Sequence, residues 1–333
     1  MLEKYSLPIS QPAISSYSNI AIAYSILEGN AQKDFDKILC DKYVTIYYDS
    51  SEEYMQFSFP YFDHWCGDRE ATFYQEVNLQ KGTFVDLNID LVRFIKECIK
   101  FDTYIHGECN FKEIDLDWTY TDKNKDSDYY LISGYDDNDQ TFVVTYCDEN
   151  FCVKTNKISY SLMYEALIGV PKENIRLFLI KYNKDTTIEL NFKSIIRELS
   201  RYVYSENPYP EYHYTKIYGI AAVEKFFQTV LEKIENQEKI YPRYIKCLGE
   251  HKLLMLNRIR YLISNNLISE HFENDALKVY EMSNAIVNCL KVYNKTLDKT
   301  YFSNVILLMR KMIFVERKYL EDVLFELQQT IVV

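Results

Sequence analysis

With 333 residues the chain is long enough for one large domain or two ordinary ones, with ample material for a buried core. Its formal charge of −11 is uneven: residues 1–242 hold 25 Lys+Arg against 39 Asp+Glu, and residues 243–333 hold 13 against 10. An acidic N-terminal part and a weakly basic C-terminal part argue against a nucleic-acid partner. Eight cysteines without a Cys-x-x-Cys pair argue against a zinc ribbon or a thioredoxin motif. The N-terminus has no basic stretch followed by an apolar run, and no apolar segment approaches the ~20 residues of a membrane span. These features predict a cytoplasmic protein with reduced thiols and no membrane partner. The excess of aromatics, 31 Tyr and 19 Phe against 8 Gly, is read as codon bias.

In chain order, residues 18–28 (SNIAIAYSILE) read as a buried helix opened by a Ser/Asn cap. Residues 43–48 and 57–61 read as strands, and 88–100 as an amphipathic helix. Further strands follow at 103–105, 129–133, 141–146 and 151–154, then a Ser-capped helix at 160–167 and a strand at 175–182. One helix followed by antiparallel strands predicts an α+β domain over residues 1–185. Residues 186–215, with Asn207-Pro208-Tyr209-Pro210, read as a linker. A helix near 217–237 opens a helical domain over 216–333. The last proline is Pro242 and the last glycine Gly249, so long helices are expected from 250 onward, joined near Asn265-Asn266 and across 294–299. There is no internal repeat, P-loop or Gly-x-Gly-x-x-Gly.

One stretch carries a resemblance. Tyr129 to Ser133, the turn Gly134-Tyr135-Asp136-Asp137, Phe142 to Tyr146 and the trailing Asp148 form an apolar hairpin closed by a carboxylate, preceded by Phe101-Asp102-Thr103-Tyr104 and followed by Lys157-Ile158-Ser159 and a helix. This order is similar to the second half of papain-like cysteine enzymes that process double-glycine leader peptides. It resembles still more closely the N-terminal domain of the butirosin biosynthesis protein H family. The stretch Gly249-Glu250-His251-Lys252 and its continuation look like the helical extensions of such domains. The resemblance implies a papain-like N-terminal domain followed by a C-terminal helical domain, working on acyl or peptidyl groups in a bacterial peptide natural-product pathway of the nonribosomal type. It implies no cofactor and no metal.

The family's nucleophile is a cysteine at the start of the first helix, where the helix N-terminus lowers the thiol pKa. Here that place is Ser15-Ser16-Tyr17-Ser18-Asn19, where Ser18 is the first choice for the nucleophile position and Ser15 and Ser16 remain open as alternatives. The family's histidine falls on Asp128, and only the orienting carboxylate has a counterpart, Asp148. A serine hydroxyl needs a positioned base, and a carboxylate is too weak a base unless burial raises its pKa by several units. Two readings follow. One is a catalytically degenerate acyltransferase-like protein that binds an acyl or peptidyl carrier protein, or a peptide intermediate, with Tyr17, Tyr129, His106 and Tyr135 lining the cleft. The other is an active amide-forming or amide-cleaving enzyme with a displaced nucleophile. A carrier protein is itself acidic, so the helical domain is expected to supply the docking surface, and also a homodimer contact.

Other clusters compete. In Asp63-His64-Trp65-Cys66-Gly67-Asp68, His64 and Cys66 are two apart and would share one face of a strand, giving a displaced Cys-His pair or a loop anchored by Trp65. His106 and Cys109, near Asp115 and Asp117, read as a loop or a relocated site. His251 reads as opening a helix with Glu250, and Tyr212-His213-Tyr214 as pinning the linker or lining a cleft. Asp136-Asp137-Asn138-Asp139 lacks the Gly and terminal Glu of a calcium loop, so a hairpin turn suffices.

Overall fold

The structure is a computed structural model that describes residues 3–31, 35–42, 44–51, 53–57, 74–80, 84, 87–110, 114, 128–148, 151–169, 176–185, 189–208, 215–300 and 302–332. The chain divides into two compact units. The first comprises Met1–Gln32 and His64–Thr187, the second Lys33–Asp63 and Ile188–Val333.

The first unit is built on an antiparallel sheet. Its strands are β1 (Lys4–Ser6), β4 (Tyr74–Gln80), β5 (Thr103–Cys109), β6 (Asp128–Asp136), β7 (Thr141–Cys147), β8 (Val153–Ser159) and β9 (Arg176–Tyr182). They lie in the order β4, β9, β5, β6, β7, β8, with β1 added to β6. A bulge between Ile132 and Gly134 divides β6. Its first half pairs with β5 and its second half with β1. Gly134 is required there, because a Cβ would stand 2.6 Å from the Tyr5 carbonyl oxygen.

Three helices cover this sheet: α1 (Ser18–Ala31), α3 (Leu91–Lys100) and α4 (Tyr160–Ile168). Side chains alternate along β7, so Cys147 and Phe142 face opposite ways. Cys147 packs with Ala21 of α1, and Phe142 meets the Tyr160 ring of α4 at 4.6 Å. Helix α1 thus lies on one face and α4 on the other. Asp90 and Ser159 cap α3 and α4 by accepting from Arg93 N–H and Leu162 N–H. The core between the layers is apolar, with Ile105, Tyr130, Leu131, Ile132 and Val144 fully buried.

The second unit holds a small antiparallel sheet, in the order β10 (Lys216–Tyr218), β2 (Ile46–Asp49), β3 (Tyr54–Phe57). Its helices are α2 (Phe35–Asp41), α5 (Phe192–Tyr204), α6 (Gly219–Glu235), α7 (Pro242–Ser264), α8 (Phe272–Thr296) and α9 (Phe302–Val332). The long C-terminal helices and their connections agree with the sequence.

Three expectations change. The stretch 186–215 is not simply a linker, because it contains α5, whose Asn191 cap accepts from Ser194 N–H at 3.0 Å. Residues 33–63 fall in the second unit, not in a domain running from 1 to 185. His251 sits inside α7, which begins at Pro242, a residue suited to a first helical turn because its missing N–H has no intrahelical role there. Gly249 is therefore within the helix. A Cβ there would stand 3.4 Å from a Val287 methyl of α8.

Candidate functional site

Ser18 is the first residue of α1, and Ser15, Ser16 and Ser18 are all buried. The start of the helix stands against the end of β7, where Cys147 Sγ lies 3.8 Å from the Ser15 carbonyl and Gln11 Nε2 donates to Val153 O at 3.1 Å. Asp148 follows directly. Tyr130 lies opposite Tyr146, so Asp128, opening β6, and Asp148, just past β7, close the same end of the hairpin. The topology therefore brings Ser18, Asp128 and Asp148 to one end of the sheet.

The Asp148 carboxylate accepts from Cys152 N–H at 2.8 Å and lies 3.8 Å from Lys154 Nζ. Its backbone N–H donates to Cys152 O, and its carbonyl accepts from Phe151 N–H, both at 2.9 Å. The carboxylate thus ties the connection from β7 to β8. Asp128 pairs with Cys109 of β5, and its side chain lies outside the described residues.

The residues expected to line the cleft separate. Tyr17 is buried ahead of α1. Tyr129 stacks on His106, with ring centroids 5.4 Å apart and planes at 16°, and Phe178 meets the same imidazole at 5.7 Å. His106 is fully buried inside β5, so the loop expected around it is a strand. Its Nδ1 donates to Tyr130 O at 2.7 Å. Burial outweighs that bond and pushes the imidazole down to about 3, which keeps it neutral. His106 and Cys109, three apart on one strand, face opposite sides of the sheet and cannot form a relocated pair.

Tyr135 does not belong with this group. Seven residues along β6 from Asp128, it lies ~23 Å away at ordinary strand rise. It is buried at the hairpin end, stacked with Tyr5 at 6.4 Å, and its hydroxyl donates to Glu3 at 3.1 Å. Burial and that contact push it up to about 12. The hairpin turn beside it is tied by Lys96 to Asp137 at 2.6 Å and by Lys4 and Lys157 to Asp136 at 3.2 and 3.3 Å. A turn held by lysines fits the hairpin reading of the Asp-rich stretch. His64, Cys66, Asp115, Asp117 and Tyr212-His213-Tyr214 lie outside the described residues, and among the described residues no group of three or more acidic, Cys or His ligands is arranged for a metal.

The second unit contains a polar core that sequence reasoning missed. Lys252 of α7 donates to both Glu316 oxygens of α9, at 2.7 and 2.8 Å, and to the Tyr202 hydroxyl of α5 at 2.6 Å, all buried. Burial lowers the Lys252 pKa against the pull of Glu316. At the preceding position, His251 Nε2 donates to Val44 O at 2.8 Å, and burial holds its imidazole well below the usual range. Arg258, fully buried, reaches the carbonyls of Leu39, Cys40 and Lys42 at the end of α2, where a cation satisfies the last helix carbonyls. The available signal was Glu316 itself, a charge inside the apolar stripe Met309, Met312, Leu320, Val323 of α9.

Between α6 and α9, antiparallel and joined by Arg317 and Glu224 at 3.0 Å, lies a cavity of about 450 Å³. Phe227, Leu231, Met309 and Ile313 line it, with Arg310 and Arg317 at the polar side. No helix among the described residues is long and apolar enough to cross a membrane. No protein-family model matches the chain, and no curated protein matches it.

Proposed function

We propose that the protein is a catalytically degenerate, papain-like acyltransferase relative that binds a carrier-tethered acyl group or a peptide intermediate of a peptide natural-product pathway. The observation that carries this reading is the sheet end where the serine-rich start of α1 meets the Asp148 turn. A buried helix starting against the end of an antiparallel hairpin supports the papain-like reading. Serines stand where the resembling family has a cysteine, and the Asp148 carboxylate accepts from Cys152 N–H and lies beside Lys154. His106 in β5 is kept neutral by burial and bonded through Nδ1 to a backbone carbonyl. The cavity between α6 and α9 offers an apolar seat of a size usual for small-molecule sites, with two arginines from the less acidic C-terminal part of the chain.

Incubation with an acyl-pantetheine thioester tests the reading by intact mass and by titration with an acyl carrier protein. The expected result is an unmodified mass, no thioester loss above background, and saturable carrier binding weakened about tenfold by Arg310→Glu. An acyl adduct or turnover abolished by Ser18→Ala would instead establish the active enzyme. Absence of both binding and acylation would remove the acyl-carrier reading altogether.

A further inference from the structure

We propose that the protein forms a homodimer in which α9 packs antiparallel against α9 of a second copy. The observation is a stripe along the outer side of this 31-residue helix. Leu307, Phe314 and Phe325 are 69%, 71% and 65% exposed, an unusual outlay of large apolar side chains on one helix. Lys311, Lys318 and Glu321 are exposed between them, and none of the three is ion-paired among the described residues.

These six residues are spaced four, three, four, three and four apart, which is the alternation of a coiled-coil seam. Such a seam has the charges in the wrong place for a parallel pair. There Lys311, Lys318 and Glu321 would each meet their own copy, and like charges would repel in three layers. An antiparallel pair about a twofold axis near Glu316 matches every layer. Leu307 then meets Phe325 of the partner, Lys311 meets Glu321, and Phe314 meets Lys318, an apolar layer, an ion pair and a cation–π contact. Each contact occurs twice by symmetry. Sliding one copy by one heptad would pair Phe314 with Phe325 and Lys318 with Glu321, but would leave Lys311 without a carboxylate opposite. The self-complementarity of the whole stripe selects the first register, and it identifies the occupant as a second copy of this chain.

Sedimentation of the full chain is the test. The expected species has twice the 39.7 kDa chain mass. Lys311→Glu and Glu321→Lys should each raise the dissociation constant at least about tenfold, since each places like charges in two layers. An equimolar mixture of the two variants should associate again, and the double variant Lys311→Glu/Glu321→Lys should recover the dimer alone. All three positions are exposed, so unchanged circular dichroism and melting confirm that the variants are folded. As an independent readout, a Leu307→Cys/Phe325→Cys variant should give a disulfide between chains linking 307 to 325 in a peptide map. A wild-type chain that stays monomeric to ~100 μM, a dimer indifferent to Lys311→Glu, or a double variant that does not recover would each overturn the proposal.

Discussion

The buried Lys252–Glu316 pair shows how a single charge is carried inside a helical core. Taking both ions out of water costs several kcal/mol each, offset by their mutual attraction and by the Tyr202 hydroxyl. Removing one partner leaves the other buried and uncompensated. Glu316→Gln is expected to destabilise the second unit by ~3–5 kcal/mol, whereas Lys252→Met with Glu316→Leu should come within ~2 kcal/mol of the parent; urea denaturation distinguishes the two. Asp136 responds to pH instead. Burial opposes its ionisation, but the Lys4 and Lys157 ammonium groups and Asn138 N–H overcome this and hold the carboxyl at about 2, below its ordinary 3.8. Because the folded value is the lower one, its contribution is fully present above pH ~4 and disappears as the pH falls towards 2. Asp136→Asn should therefore flatten the acid limb of the unfolding curve between those values.

At the scale of elements, the sequence showed most strands and helices because their periodicities are strong. The β6–β7 hairpin, the Ser159-capped helix and the three long C-terminal helices lie within a few residues of expectation. What it hid was context. The strand through His106 looked like a loop because His106-Gly107-Glu108 breaks the apolar pattern, yet pairing on both sides by β6 and β9 supplies the backbone bonds that propensity did not promise. Helix α5 was masked by the Pro-rich stretch that follows it. The candidate site was legible only as positions: Ser18, Asp128 and Asp148 do gather at one sheet end, but Tyr135 was drawn in by its place in a motif, which does not reveal that a strand separates it from them. Gly134 is where an element depends on one atom. Gly134→Ala should cost ~1–3 kcal/mol through overpacking against Tyr5. The loss should be read as faster hydrogen exchange at Leu7 N–H, which donates to Ser133 O at 2.7 Å.

At the scale of the molecule, domain membership does not follow chain order. Residues 33–63 lie between two pieces of the first unit yet belong to the second, and the reason lies in Arg258 and His251, which bind their backbone carbonyls from more than 200 residues away. Sequence reading assigned this stretch to its neighbours because no local pattern announces a distant donor. Arg258→Leu would leave the carbonyls of Leu39, Cys40 and Lys42 without their cation, at a cost of several kcal/mol. Limited proteolysis should then nick residues 35–57 while fragments of α8 and α9 persist. Production on the ribosome adds a consequence. Residues 33–63 emerge early, but Arg258 is made almost two hundred residues later, roughly 10–40 s at ordinary elongation rates. For that interval Ile38, Val44, Ile46 and Phe57, all buried in the finished protein, have no core to enter. The nascent chain thus passes through a stage with an unsatisfied apolar strand pair, when chaperone capture competes with aggregation.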